Sequence, residues 1–112
     1  MALTPTNNFG SLNGTSSVDL VAAPASSTRR VIRSVHICNI DTVSHTITVR
    51  LTNSGTHYTL YKVTLAANET LLLGGYQETI VLDATTESLT AITNATATTT
   101  EPTFAAAFIV ES

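Results

Sequence analysis

The residues of this chain that could carry chemistry are three histidines, one cysteine, eight acidic residues and a short run of arginines. His36 and Cys38 lie two positions apart, so on a β-strand their side chains would share one face and could bind a metal ion with a third ligand. The chain has no second cysteine, and His45 and His57 lie near predicted turns. We therefore expect no metal and no other cofactor, and we interpret the pair as a small buried thiol beside a histidine at a sheet edge.

The sequence also lacks the groupings that catalysis requires. A hydrolase needs a nucleophile, a base and an orienting group, and no Gly-x-Ser-x-Gly elbow presents a serine here. The acidic residues, which could pair in a glycosidase, are mostly placed near predicted strand ends and turns, where carboxylates are normally solvated. Gly74-Gly75 is too short for a phosphate-binding loop and precedes no predicted helix. The sequence therefore predicts a protein that is not an enzyme.

The one basic cluster of the sequence consists of Arg29, Arg30 and Arg33. Guanidinium groups form bidentate pairs with carboxylates, so the cluster could bind acidic side chains of a neighbouring protein. It could equally be an ordinary solvated entrance to a strand, and the sequence leaves both readings open. The net charge of −3 is mild and argues against nucleic acid as a partner, because binding to phosphates relies on clustered lysine and arginine.

The composition points to an unusual surface. Charged residues make up only 12% of the chain, against about 25% in a typical soluble domain, and threonine alone supplies about a fifth of the residues. Much of the outer surface must therefore consist of hydroxyl groups and alanines. Either other copies or a partner cover part of it, or threonine alone solvates the faces of the sheets.

The single cysteine excludes a disulfide within the chain and fits synthesis in a reducing cytoplasm. The first residues lack the basic and apolar regions of a secretory signal peptide. No apolar run approaches the roughly 20 residues that span a bilayer. We expect a protein with no membrane partner.

The elements that must position these residues are β-strands. Ile47, Val49 and Leu51 alternate with threonine and arginine in the clearest period-two pattern of the chain. Earlier, Val31, Val35 and Ile37 share one parity, and we expect them on the same face. The stretch 56–65 changes parity midway, which a bulge near Leu60 would explain.

The sequence predicts a single all-β domain over residues 18–112. No window shows a sustained apolar repeat of 3.6 residues, so we expect little or no helix. The predicted strands are 18–23, 31–40, 46–52, 56–65, 69–73, 79–82, 87–93 and 104–110. Short strands at this regular spacing are typical of a two-sheet β-sandwich, and both a jelly-roll and an immunoglobulin-like strand order remain open.

Residues 1–17 precede this domain and are predicted to form an extended N-terminal arm. The segment is polar, shows little periodicity and is broken by Pro5, Gly10 and Gly14. Chain termini are usually disordered unless they are tied down, so an ordered arm would dock on a neighbour. The residues predicted to form a protein interface are Asn7, Asn8, Phe9, Leu12, Arg29, Arg30 and Arg33.

The central part of the chain resembles a group of viral proteins. Residues 31–40 read Val-Ile-Arg-Ser-Val-His-Ile-Cys-Asn-Ile, residues 46–51 read Thr-Ile-Thr-Val-Arg-Leu, and residues 66–73 read Ala-Ala-Asn-Glu-Thr-Leu-Leu-Leu. This layout, over roughly Val31 to Asp83, resembles small β-sandwich virion proteins of tailed bacteriophages, above all head decoration (cement) proteins. The resemblance implies a non-enzymatic subunit that binds and stabilises an assembled capsid, often as a trimer. No binding residue carries over position by position.

Three functions follow as hypotheses. The first is a capsid decoration protein. It would be made in the host cytoplasm and lie on the capsid surface of the virion. There it would bind the major capsid protein or other virion subunits as a homo-oligomer, with a trimer preferred. The second is a tail or head-to-tail connector accessory protein, which would favour rings. The third is a carbohydrate-binding or adhesin-like module, for which Tyr58, Tyr61 and Tyr76 are the available aromatic platforms and the absence of tryptophan is unfavourable.

Overall fold

The computed structural model describes residues 2–74 and 80–112, which form an all-β sandwich of two antiparallel sheets. This confirms the predicted fold class. The part of the chain that the structure describes contains no helix that could cross a membrane. Its strands are β1 (Leu3–Ser11), β2 (Val18–Val21), β3 (Arg29–Cys38), β4 (His45–Asn53), β5 (Thr56–Leu65), β6 (Thr70–Gly74), β7 (Ile80–Leu82), β8 (Glu87–Thr93) and β9 (Thr103–Glu111).

The strand order distinguishes between the two predicted topologies. The larger sheet has the order β1-β9-β3-β6, with β7 also paired to β3, and the smaller sheet has the order β2-β8-β4-β5. Most successive strands cross from one sheet to the other, which is the arrangement of a jelly roll with β7 as an additional short strand. The immunoglobulin-like alternative is therefore not the order found here.

The core lies between the two sheets and follows the alternation of the strands. Ile47 and Val49 of β4 are fully buried, while the threonines between them face outward. On β9, Phe104, Ala106 and Phe108 are also buried. The other fully enclosed apolar side chains come from both sheets and include Leu12, Leu20, Val21, Ile37, Leu82 and Leu89.

Two register shifts set the parity of the long strands. Val49 pairs with Tyr61 while Arg50 pairs with Thr59, so the residue between them, Leu60, is the extra residue of a bulge, as predicted. A second shift lies on β3 between Ile32 and Ser34 and makes Arg33 the extra residue. This second bulge was not predicted.

The bulge at Arg33 changes which residues of β3 face the core. Ile32, Val35 and Ile37 are buried, whereas Val31 is only half-buried. We expected Val31 on the face of Val35 and Ile37, and that parity is wrong because one inserted residue reverses the alternation on either side of it.

The N-terminal segment differs from the predicted arm. Residues 3–11 are extended, but they form β1 and pair with β9 over their whole length. Two residues that follow, Leu12 and Gly14, are buried. The predicted boundary at residue 18 therefore does not separate an arm from a domain, because β1 lies within the larger sheet and Leu12 lies within the core.

Candidate interaction surface

The outer face of the larger sheet is mainly apolar and open to solvent. The register places Leu3 and Phe9 of β1 across from Glu111 and Ala105 of β9, and all of these point away from the core. Four large side chains are exposed there, Leu3 by 57%, Phe9 by 74%, Leu72 by 62% and Val81 by 41%. We call this surface the apolar face; it comprises Leu3, Pro5, Asn7, Phe9, Val31, Leu72, Val81, Ala105, Ala107 and Ile109, and the polar side chains of Ser34 and His36 lie among them.

The outer face of the smaller sheet is polar and mostly hydroxylated. It carries two pairs of hydrogen-bonded threonines: the hydroxyl groups of Thr52 and Thr90, of which Thr90 is largely covered, are 3.0 Å apart, and those of Thr46 and Thr64 are 2.9 Å apart. Arg50 and Lys62 supply positive charge among them. We call this surface the threonine face. Threonine thus solvates one outer face of the sandwich, while the other has no such covering.

The predicted interface residues are divided between surface and interior. Asn7 and Phe9 lie on the apolar face, and Arg33 is exposed at the bulge of β3. Asn8 points inward, and its amide donates to the carbonyl oxygen of Leu20 at 3.0 Å. Leu12 is only 2% exposed, so its burial in the core removes it from the predicted surface.

The two remaining arginines are held by their own chain. Arg29 forms an ion pair with Glu111, and the hydrogen bond to that carboxylate raises the pKa of the guanidinium. Arg30 lies over the ring of Phe108, with its guanidinium carbon 5.0 Å from the centroid, and donates to the carbonyl oxygen of Ala22 at 3.0 Å. Of the predicted cluster, Arg33 alone has no ion pair or hydrogen bond to another described residue.

A shallow cleft lies beside the ion pair of Arg29 and Glu111. It has a volume of about 290 Å³ and is also lined by Ser27, Thr28, Asp83 and Ser112. It opens to solvent, and the arginine already has a carboxylate partner. The cleft is therefore a surface feature at one end of the sandwich.

A buried polar cluster lies between the two sheets at a loop-rich end of the fold, and its centre is Asp41. The carboxylate is 2% exposed and accepts backbone N–H groups from Thr42 at 2.8 Å, Thr98 at 2.8 Å and Thr99 at 2.9 Å. His45 Nε2 lies 2.6 Å from Asp41 Oδ2 and is the donor, because a carboxylate can only accept. The hydrogen bond from His45, followed by those from the amides, holds the pKa of Asp41 far below its usual range despite its burial.

Asn39 completes this polar cluster. Its side-chain amide donates to the carbonyl oxygens of Val43 and Leu65, both at 2.9 Å, and its side-chain oxygen accepts the N–H of Asp41 at 3.1 Å. His45 is 1% exposed, and its Nδ1 has no hydrogen-bond partner among the described residues. The cluster therefore joins the β3–β4 turn to the Thr/Ala-rich loop before β9.

The sequence pattern did not predict this cluster. It placed Asp41 in a solvated turn and His45 near a turn, whereas both side chains are buried. The available signals were the spacing of Asp41 and His45 and the run of small residues from Asn94 to Thr100, which offers many backbone amides. These amides lie 57 to 59 residues from Asp41 along the chain.

The residues considered for metal binding and sugar binding do not form a site together. His36 and Cys38 lie on the outer face of β3, and the part of the chain that is described contains no group of three histidine, cysteine or acidic residues placed to bind a metal ion. Tyr58 is 55% exposed, whereas Tyr61 packs partly against the core. Tyr76 lies outside the described residues.

Comparison with known proteins supports the fold. No family model matches the chain, and no curated protein matches it. Among solved structures, the fold is similar to that of a chain from Bacillus endospore appendages, which are described as a novel family of disulfide-linked pili. The similarity covers 97% of this chain and 84% of that chain, with a TM-score of 0.52 and 11% identity. At this identity the likeness shows a shared fold, and the resemblance to phage virion proteins stays a prediction.

Proposed function

We propose that this protein is a non-enzymatic structural subunit of a larger assembly, and specifically a decoration protein on a phage capsid. The observation that carries the proposal is the apolar face. Soluble monomers rarely expose large contiguous apolar patches, and such patches mark surfaces that another protein covers. Here the outer face of the larger sheet exposes four large apolar side chains, those of Leu3, Phe9, Leu72 and Val81.

The composition of the apolar face fits contact with another protein. The fully buried centre of an interface is depleted in charge and enriched in apolar and aromatic side chains. Leu72, Val81 and Phe9 are exposed here. Val31 of β3 lies between Val81 and Ile109, so no charged residue separates these two side chains. The charges that do occur, on Arg29, Glu111 and Arg33, lie at the margin or at the bulge.

The fold likeness to a pilus protein supports the wider class. A pilus is a repeating assembly, and that chain shares this jelly roll at low identity. A decoration protein and a pilus protein both act through their surfaces. The assembly of this protein is therefore the part of the proposal that is independent of the phage resemblance.

A decoration protein would stabilise its shell by mass action. A ligand that binds only the closed assembly shifts the equilibrium away from opening, and several weak contacts presented together raise the effective concentration for each further contact. The apolar face supplies such a contact without any reacting group. The same surface on a tail or connector accessory protein would bind a ring.

The test is co-sedimentation with shells assembled from the major capsid protein of the same virus, using two matched lysine variants. Leu72→Lys places a charge on the apolar face, and Thr64→Lys places the same charge on an exposed strand position of the threonine face. We expect the first variant to lose shell binding and the second to keep it, while both melt like the wild type.

Val81→Lys repeats the test on the neighbouring strand β7, in case Leu72→Lys fails to fold. A wild-type protein that never sediments with shells would overturn the decoration function. Equal binding by Leu72→Lys and Val81→Lys would show that the apolar face is not the contact.

A further inference from the structure

The four edges of the two sheets differ in how they are protected. An edge strand exposes unpaired N–H and C=O groups, and proteins usually shorten it, interrupt it with a bulge, or place charges on it to prevent further pairing. The larger sheet has β1 at one edge and β6 with β7 at the other, and the smaller sheet has β2 and β5 at its edges.

Three of these edges carry such protection. β2 has four residues and a register shift between Asp19 and Val21. β5 is interrupted by the bulge at Leu60 and carries Lys62. The edge opposite β1 consists of two short strands, β6 with five residues and β7 with three.

β1 is the exception. It has nine residues in unbroken register with β9 from Leu3 to Ser11, and none of them is ionisable. The proline at position 5 is its only feature that opposes strand addition. Of the edges described, β1 is therefore the one best suited to accept another strand.

Hydrogen bonds at the two ends of β1 show which backbone groups are free. The N–H of Ser112 donates to the carbonyl oxygen of Ala2, and the N–H of Leu12 donates to the carbonyl oxygen of Pro102. Because backbone groups alternate in direction along an antiparallel strand, even-numbered residues of β1 bond to β9. The odd-numbered residues, including Asn7 and Phe9, point to the open edge.

The position of Pro5 agrees with this parity. Proline has no N–H, so within a sheet it is accepted where that group would point away from the neighbouring strand. Pro5 is odd-numbered, and its missing donor therefore costs no hydrogen bond to β9. The open edge keeps the N–H groups of Leu3, Asn7, Phe9 and Ser11.

We propose that β1 pairs antiparallel with β1 of a second copy of this chain, so that two larger sheets become one continuous sheet across a two-fold axis. A two-fold contact uses the same strand on both sides, and each copy satisfies the other. A register centred on Asn7 uses the whole strand. The exception is Pro5, which has no N–H, so in each copy the carbonyl oxygen of Phe9 opposite it accepts no hydrogen bond from the pairing.

Side chains of β1 also gain contacts in this register. Phe9 of each copy lies across from Pro5 of the other, on the outer side of the sheet, where the ring is 74% exposed in the single chain. No charged residue of β1 opposes another, so no repulsion arises. The two apolar faces then lie on the same side and form one larger surface, which deepens the proposed function by supplying two contacts from one particle.

The test is the mass of the full chain in solution by light scattering over a range of concentrations, with Asn7→Pro and Asn7→Thr as matched variants. Asn7→Pro removes an outward N–H and places a ring at the edge while keeping the bonds to β9, and Asn7→Thr keeps the N–H and suits a strand. We expect dimers for the wild type and for Asn7→Thr. For Asn7→Pro we expect the dissociation constant to rise at least ~10-fold, because both copies lose a bond worth about 1 kcal/mol.

Asn7→Lys serves as a second variant, because it places two like charges opposite each other at the two-fold axis. Hydrogen exchange gives a direct measurement: the amides of Asn7 and Phe9 should gain protection as the wild type dimerises. A monomer at every concentration, a trimer, or a dimer that both edge variants retain would overturn the pairing.

These outcomes separate the pairing from the proposed function. A monomer that still sediments with shells overturns the pairing alone. A dimer that forms through β1 but never binds shells overturns the decoration function alone.

Discussion

The polar cluster around Asp41 and the apolar face of the larger sheet both invert the usual division between a polar surface and an apolar interior. In the first, a carboxylate is buried at 2% exposure; in the second, leucine and phenylalanine are exposed by 62% and 74%. Buried polar groups and exposed apolar patches are the two informative departures from that division. The two regions differ in whether the departure is resolved within the single chain.

In the polar cluster it is resolved for the carboxylate. The carboxylate of Asp41 accepts hydrogen bonds from His45 and from backbone amides of the turn and the loop, so burial leaves it with partners. The apolar face has no covering element in the described chain. The cluster therefore contributes to the stability of the single chain, whereas the apolar face is the surface that the proposed function assigns to a partner.

The largest expected effect is on the cluster. Asp41→Asn replaces one carboxylate oxygen, which accepts hydrogen bonds, by an NH₂ group, which cannot accept them. The N–H groups that point at that oxygen are then buried without partners. We expect the melting temperature to fall on the order of 10 °C or more, with loss of hydrogen-exchange protection at the amides of Thr98 and Thr99. Thermal unfolding and hydrogen exchange measure both.

Asp19→Asn is the control for this substitution, because Asp19 is exposed on β2 and its side chain accepts no hydrogen bond from the described residues. It should melt within a few degrees of the wild type. Equal melting temperatures for the two variants would mean that the buried carboxylate of Asp41 contributes no more to stability than the exposed carboxylate of Asp19.

The second prediction concerns acid. The pKa of Asp41 is lowered in the folded protein, so the unfolded chain takes up a proton at this residue first as the pH falls. The contribution of Asp41 is therefore complete above the usual aspartate pKa of about 4 and is lost progressively below it. The free energy of unfolding should decline from about pH 5 downward, and denaturant unfolding at several pH values measures it.

The difference between wild type and Asp41→Asn isolates this residue from the other carboxylates. We expect the gap in unfolding free energy between them to narrow as the pH is lowered. A gap that stays constant down to pH 2 would mean that the charge of Asp41 does not contribute.

The sequence predicted the parts of the fold that depend on neighbouring residues. The alternation of Ile47, Val49 and Leu51 is visible within one strand, and the change of parity around Leu60 located its bulge. Periodicity was less informative about a bulge whose extra residue is not apolar. Arg33 is such a residue, and the parity of Val31 was wrong for that reason.

The pairing of strands that lie far apart in the sequence could not be predicted from local residue patterns. The residues of β1 that face inward, such as Thr6 and Asn8, are polar or small, and its large apolar side chains, Leu3 and Phe9, face outward. No apolar alternation on the inward face therefore distinguishes β1 from a disordered arm. Its place in the sheet depends on β9, about a hundred residues away along the chain. The Asp41 cluster was missed for the same reason, since its donors are backbone amides whose direction no side-chain pattern reveals. Of the predicted interface residues, the structure places Asn7, Phe9 and Arg33 on the surface and Leu12 in the core.

The smallest expected effect tests the apolar face by itself. Leu72 and Leu73 are neighbours on β6, but Leu72 is 62% exposed on the apolar face and Leu73 is 6% exposed in the core. We expect Leu72→Thr to change the unfolding free energy of the monomer by less than ~0.5 kcal/mol, as is usual for surface substitutions. Leu73→Thr, its control, removes the same atoms from the core and should cost about 2–5 kcal/mol.

Denaturant unfolding in dilute solution, where association is absent, measures this pair. A large loss for Leu72→Thr would mean that the apolar face packs against part of its own chain, and the contrast with the Asp41 cluster would disappear. A small loss leaves the side chain of Leu72 with no role inside the single fold. A small loss is therefore the outcome that the proposed contact between the apolar face and another molecule requires.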